Sequence, residues 1–257
     1  MSEQSGSRLP GRTDPPPGLT SEQLQRAVDW AIVSRRSVRA FSPKPVSPSM
    51  VEDILRVASF AATGVNIQPW HVHVLYGEAK RKLSAAISSV NDDPAQSKEH
   101  TEPYDYYPTQ WISPYIDRRR KVGWDLYGLL GIAKGDKDRM HAQHGRNYRF
   151  FDAPVGLMFC IDRVMQQGGF MDTGMFLQNV MVAARARGLD TCPQVAFTKF
   201  HRVIRAQLDI PDNQLLVCGM SLGFADPDSV ENALVTDRIP VSDFTTHHGL
   251  QGGECDD

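Results

Sequence analysis

The chain has 257 residues, with 28 basic and 30 acidic side chains, a formal net charge of −2 and a hydrophobic content of 41%. Near-neutral charge argues against a general affinity for nucleic acid or for acidic membrane surfaces, and no apolar run approaches the ~18 residues that cross a bilayer. The length allows one large domain or two small ones and is enough to bury a sizeable core.

Residues 1–19 are rich in Ser, Gly and Pro, with Pro15-Pro16-Pro17 and no apolar segment. They read as a disordered tail and not as a secretory leader. Residues 20–249 read as a single domain and 250–257 as a C-terminal tail. Thr20 with Gln23 forms a capping-box pattern, behind which Leu24, Ala27, Val28, Ala31 and Ile32 repeat at helical spacing. Ser47-Pro48 predicts a second helix start, with Val51, Ile54, Leu55, Val57 and Ala58 as its apolar face. That helix runs into Ala61 to Trp70, a small, polar segment broken by Gly64 and Pro69.

A strand is expected over His71–Tyr76, where Val72 and Val74 alternate with His71 and His73. The two histidines read as a polar strand face, because no acidic or Cys partner stands near them in sequence to complete a metal site. Ala79 to Val90 reads as a helix. From about residue 92 to 150 the pattern loosens into an insert rich in Tyr, Pro and Trp that also carries Arg118-Arg119-Arg120-Lys121. An irregular insert of that length is either a functional cover or a peripheral helical subdomain.

Ala153 to Ile161 is a continuous apolar run and predicts a buried central strand. Asp172 is expected to cap the next helix, which carries Met175, Phe176, Asn179, Val180, Ala183 and Ala184 and ends at Gly188. Leu189 to Gln194 reads as a turn, Thr198 to Leu208 as a helix, and Leu215 to Gly223 as a last strand. This order predicts an α+β sandwich in which helices cover a small sheet. The four cysteines, Cys160, Cys192, Cys218 and Cys255, are far apart with no C-x-x-C pair. That argues against a disulfide framework or zinc site and for a reducing, cytoplasmic setting. Cys160 and Cys218 are expected in the core and Cys255 in the tail.

The chain lacks a G-x-S-x-G elbow, a P-loop, an H-E-x-x-H helix and a G-x-G-x-x-G turn. Its most concentrated chemical feature is Arg35-Arg36-Ser37-Val38-Arg39, where three guanidinium groups and a hydroxyl can grip a phosphate. Taken alone, such a pentamer is more often a solvated charged turn. The remaining donors are Asn66, Gln68 and Arg238. A donor set without a nucleophile or acid–base pair leaves the chemistry to a cofactor, and flavin mononucleotide (FMN) fits: cations for its phosphate, donors for its pyrimidine edge, apolar contact for its ring.

Four motifs in order, R-R-S-V-R-A-F, G-V-N-I-Q-P-W, G-L-D-T-C-P-Q and the C-terminal R-I-P-V, together resemble the nitroreductase family of FMN-dependent oxidoreductases, over roughly Leu24 to Gly249. The insert resembles the branch of nitrobenzoate, nitrobenzene and dinitroaniline nitroreductases. The resemblance implies a nitroreductase-like α/β/α sandwich with a mostly antiparallel sheet, in an intertwined homodimer with two FMN sites at the interface. It gives Arg35, Arg36, Ser37 and Arg39 the phosphate and pyrimidine end, with Arg35 and Ser37 nearest the phosphate and Arg39 nearest the pyrimidine, and puts Arg238 at the phosphate from the C-terminal side. It also implies that Ala62, Thr63, Gly64 and Asn66 reach the flavin from the other subunit, and that Pro193, Gln194 and Val195 lie along the isoalloxazine, where a backbone N–H can face N5. The sequence departs from the family pattern at Thr236, where other members carry a base, and at Val195-Ala196, where others carry Glu-Gly.

The implied reaction is ping-pong, with NAD(P)H as co-substrate and a nitroaromatic reduced by two-electron steps to nitroso and hydroxylamine products. Tyr104, Tyr106, Trp111 and Trp124 are the substrate candidates, because they can stack on an arene. The alternatives are a quinone, enone or free-flavin reductase on the same site, or a non-catalytic flavin-binding protein.

Overall fold

The computed structural model describes residues 16–249, so the expectations for residues 1–15 and 250–257, Cys255 among them, lie outside the described residues. Four strands form one antiparallel sheet in the order β1-β2-β4-β3: β1 Trp70–Leu75, β2 Val155–Asp162, β3 Asp190–Gln194 and β4 Gln214–Gly223. The helices are α1 Ser21–Ser34, α2 Pro48–Ala58, α3 Gly77–Asn91, α4 Pro94–Lys98, α5 Tyr115–Leu129, α6 Lys137–Gly145, α7 Gln167–Ala186 and α8 His201–Leu208.

The period-2 geometry of β2 divides its side chains between two cores. Val155, Leu157, Phe159 and Ile161 join Val51 and Ile54 of α2 and Phe176 and Val180 of α7. Met158 and Cys160 face the opposite way, toward Leu83 and Ile87 of α3, Phe150, Phe197 and Ile204 of α8. Both faces of the sheet are therefore covered, and the expected α/β/α sandwich is what forms. Gly219 of β4 is needed for one of these contacts, because a Cβ there would sit 2.4 Å from a ring carbon of Phe197. Phe197 belongs to the single-turn helix Val195–Phe200 that follows β3, so this close approach seats the turn on the sheet.

The capping signals act as read. Thr20 and Gln23 complete a capping box for α1, Ser47 caps α2 with Pro48 in its first turn, and Gly188 closes α7 at φ +73°. Cys160 and Cys218 are buried. Several expectations are corrected. Asp172 does not cap α7: the helix begins at Gln167, and Asp172 lies inside it, where its carboxylate accepts a bond from the Gly64 amide at 3.1 Å. Residues 190–194 are a strand, not a turn. Pro193 is tolerated there because β3 is an edge strand of the sheet, with β4 its one strand neighbour. Folding also brings Asp162 to 3.5 Å from His71, an acidic neighbour that sequence distance concealed. The insert is mainly helical, formed by α4, α5, α6 and a short helical segment over Arg146–Asp152. No described helix is long and apolar enough to cross a membrane.

Several large apolar side chains stay exposed on α1, α7 and the C-terminal segment. α1 packs on α7. Of the apolar repeat on α1 only Ala31 is buried, while Val28 and Ile32 remain 53% and 48% exposed. Met171 and Met175 of α7, and Val235, Ile239 and Phe244 of the C-terminal segment, are exposed as well.

Candidate active site

The basic stretch leaves α1 and is tied to the sheet edge. The Val38 amide donates to the Thr191 carbonyl at 3.1 Å, and Ser37 bridges Thr191 beside β3. From the other side Asn232 clamps it, accepting from the Arg39 amide at 3.0 Å and donating to the Ala40 carbonyl at 2.8 Å. These backbone anchors bring Arg35, Arg36, Ser37 and Arg39 together with Thr236 and Arg238 around a cavity of about 440 Å³. Four guanidinium groups line it and no carboxylate does. Among the described residues, Arg35 and Arg36 have no side-chain hydrogen bond or ion pair. Burial lowers the Arg35 pKa below its usual value, and the charge of Arg238 lowers it further. Like charges held together without a counter-ion form a site for an anion such as a phosphate. Thr236 has its own task here, since its hydroxyl accepts from the Arg238 guanidinium at 2.8 Å.

Arg39 also lines a second cavity of about 320 Å³, together with Tyr106, Tyr107, Tyr127, His144 and Asn147. A third cavity, of about 600 Å³, is lined by Tyr104, Tyr106, Phe170, Leu177, Val217 and Cys218. Pro193, Gln194 and Val195 line both of these, so the end of β3 is their common floor. Tyr106 lines both as well.

The Gln194 side chain is turned inward. It is buried, accepts from the Ser221 hydroxyl at 2.6 Å and donates to the Asn147 carbonyl at 2.8 Å. It fastens the end of β3 to the insert and to β4. Cys192 is buried beside Arg35 and Arg39, and burial pushes its thiol up to about 11 against the pull of both arginines. It is therefore a neutral thiol at neutral pH.

The chain belongs to the nitroreductase family. Its profile matches residues 32–224. The chain is 41% identical over 222 residues to a 4-nitrobenzoate reductase of Pseudomonas putida, covering 86% of this chain and 96% of that one. It is 40% identical over 221 residues to a nitrobenzene nitroreductase of Ectopseudomonas oleovorans, covering 85% and 96%. The FMN and NADPH-dependent nitroreductase NfnB of Sphigopyxis sp. strain HMH superposes with a TM-score of 0.83 at 34% identity, over 87% of this chain and 99% of that one.

Relative to this nitroreductase fold, the remaining site candidates fall into two groups. Tyr104 and Tyr106 line the cavities. The Tyr104 hydroxyl donates to the Val217 carbonyl, and burial raises its pKa, so it remains a neutral phenol. Its ring packs on Phe170 at 4.8 Å between centroids. Trp111 and Trp124 do not line the cavities. Trp111 stacks with Tyr107 at 5.4 Å and carries the Arg119 guanidinium 4.7 Å above its ring. Trp124 packs on Tyr127 at 5.8 Å and is 44% exposed. Both tryptophans brace tyrosines that do face a cavity.

Ala62, Thr63, Gly64 and Asn66 stand apart from the arginine cavity. Their loop is exposed, and Val65, Asn66 and Gln68 hold φ values of 44°, 61° and 50°. For a β-branched residue such as Val65 this is a strained conformation. Sequence reasoning missed Tyr107, Tyr127, His144, Asn147, Phe170 and Cys192 as lining residues. Only the aromatic density of the insert hinted at the first two.

Proposed function

We propose that this protein is an NAD(P)H-dependent FMN nitroreductase acting on small nitroaromatic compounds. The observation that carries the reading is the carboxylate-free cavity of Arg35, Arg36, Ser37, Arg39 and Arg238, joined through Arg39 to the cavity floored by Pro193–Val195. The donor set fits FMN: the uncompensated cations suit a phosphate dianion, and Arg39, which lines both cavities, would serve the pyrimidine edge. Bound there, FMN would supply two-electron transfer from a reduced pyridine nucleotide to a nitro group, in a ping-pong sequence through nitroso to hydroxylamine.

The chain's own residues then bind, orient and shield. Arg35, Arg36, Ser37 and Arg238 neutralise the phosphate, and Thr236 holds Arg238 in place. The end of β3, fixed by Gln194, presents backbone amides to the ring. Tyr104 and Tyr106 offer aromatic faces to an arene, and Trp111, Trp124 and Arg119 support them. No side chain need act as a nucleophile. The names of the similar proteins, which act on nitrobenzoate and nitrobenzene, support the substrate class.

Ala62, Thr63, Gly64 and Asn66 complete the site from a second copy of the chain, in a homodimer formed through the exposed apolar faces of α1 and α7. Residues 20–249 form the catalytic domain, and the cytoplasm is its compartment. The test is anaerobic titration of the yellow protein with NADPH or NADH, followed by a nitroarene such as 4-nitrobenzoate. Bleaching near 450 nm and recovery of colour with hydroxylamine production are expected. A yellow protein that neither nucleotide bleaches would be a flavin-binding protein, and a reduced protein reoxidised by quinones but not by nitroarenes would be a quinone reductase.

A further inference from the structure

Helix α5 presents two different faces to two different cavities. Gly123, Leu126 and Tyr127 line the 320 Å³ cavity that reaches Arg39 and the end of β3. Arg118, Lys121, Val122 and Asp125, which share one face at i, i+3, i+4 and i+7, line a separate cavity of about 430 Å³. Its opposite wall is Thr236, Asp237, Arg238 and Ile239. Because Thr236 and Arg238 also line the arginine cavity, this outer cavity adjoins the phosphate end of the proposed flavin site. The axial rise along α5 from Arg118 to Leu126 is about 12 Å at 1.5 Å per residue.

The charges in the outer cavity are unevenly matched. Lys121 lies 2.7 Å from Asp125 and 3.4 Å from Asp237, so it occupies both carboxylates and fastens α5 to the C-terminal segment. Arg118 is exposed and, among the described residues, makes no ion pair or side-chain hydrogen bond. With Arg238 shared with the arginine cavity, the surplus positive charge of the outer cavity belongs to Arg118, flanked by the aliphatic side chains of Val122 and Ile239. A carboxylate free to accept from a ribose 2′-hydroxyl would favour NADH, whereas an arginine in that place accommodates a 2′-phosphate. Here the carboxylates are already held by a lysine.

We propose that this outer cavity receives the 2′-phosphoadenosine end of NADPH, with Arg118 as the specificity-determining cation. The inference rests on the reading that a reduced pyridine nucleotide is the electron donor at the flavin site. NADH and NADPH differ only in the 2′-phosphate, so Arg118 discriminates between them without touching the reacting atoms.

The experiment is anaerobic stopped-flow reduction of the FMN-loaded protein by each nucleotide, for the wild type, Arg118→Ala and Arg118→Lys. The wild type is expected to bind NADPH about tenfold more tightly than NADH, the yield of one charge-assisted contact. Arg118→Ala should raise the NADPH Kd to the NADH value while leaving the NADH Kd and both limiting rates unchanged, and Arg118→Lys should restore part of the difference. Adenosine 2′,5′-bisphosphate should compete with NADPH in the wild type and about tenfold less well in Arg118→Ala, whereas 5′-AMP should not distinguish the two proteins. Equal Kd values for both nucleotides in the wild type, or equal weakening of both by Arg118→Ala, would overturn the assignment while leaving the nitroreductase reading intact. A flavin that neither nucleotide reduces would overturn both.

Discussion

Residues 35–39 and residues 62–68 are two short segments outside regular structure, yet the fold treats them in opposite ways. The first is held by backbone bonds to Thr191 and Asn232 and shares a cavity with Arg238 from the far end of the chain. The second is exposed, carries three non-glycine residues at positive φ, and has one tie to the body of the protein through Asp172. Strained backbone persists where surrounding contacts over-determine it, and this chain supplies few of those contacts. The contrast teaches that a single chain fixes the basic segment by its own backbone bonds and leaves the 62–68 loop exposed. The same molecule leaves Val28 and Ile32 of α1 exposed.

Three substitutions break or sharpen that contrast. The largest effect is expected from Val28→Glu. In a two-fold interface the introduced carboxylate is buried twice, so the dimer dissociation constant should rise on the order of 1000-fold. Sedimentation velocity at micromolar protein would show a monomer that has lost its flavin. An unchanged sedimentation coefficient would remove α1 from the interface. Arg39→Ala comes next. It deletes a cation shared by two cavities, and FMN affinity should fall about 100-fold, at the upper end for a charged hydrogen bond, with the protein still dimeric. Fluorescence of released flavin on dilution measures it.

The smallest effect belongs to Asp172→Ala, which frees the Gly64 amide. Because that amide is at the surface, FMN affinity should fall only about fivefold. Asp172→Asn, which keeps an acceptor oxygen, should recover most of it in the same calorimetric titration. If Asp172→Ala weakened FMN as much as Arg39→Ala, the two segments would contribute equally and the contrast would fail.

Much of the fold was legible because its signals are local. A capping box at Thr20, Ser47 before Pro48 and a glycine after α7 each act within a few residues. The apolar run of β2 marked a strand covered on both faces. The errors share a cause. Residues 190–194 form a strand only because β4 lies alongside them, and Asp172 was assigned to a cap because its partner, Gly64, is distant in sequence. The clustering of Arg35, Arg36, Ser37 and Arg39 was visible in a single pentamer. That Arg238 joins them, and that Gln194 turns inward to Ser221 and Asn147, was not.

By itself, then, the sequence determined the chemistry on offer: a dense set of guanidinium donors, a small-residue loop, an aromatic insert and no nucleophile motif. It could do so because side-chain identity and short-range periodicity are properties of the chain alone. The tertiary structure decided which donors face a common space, that four arginines meet without a carboxylate, and that Arg39 connects two cavities. Those outcomes depend on pairing between segments some two hundred residues apart, such as Ala40 with Asn232. Such pairing is set by the packing of the whole sandwich and leaves no local mark in the sequence.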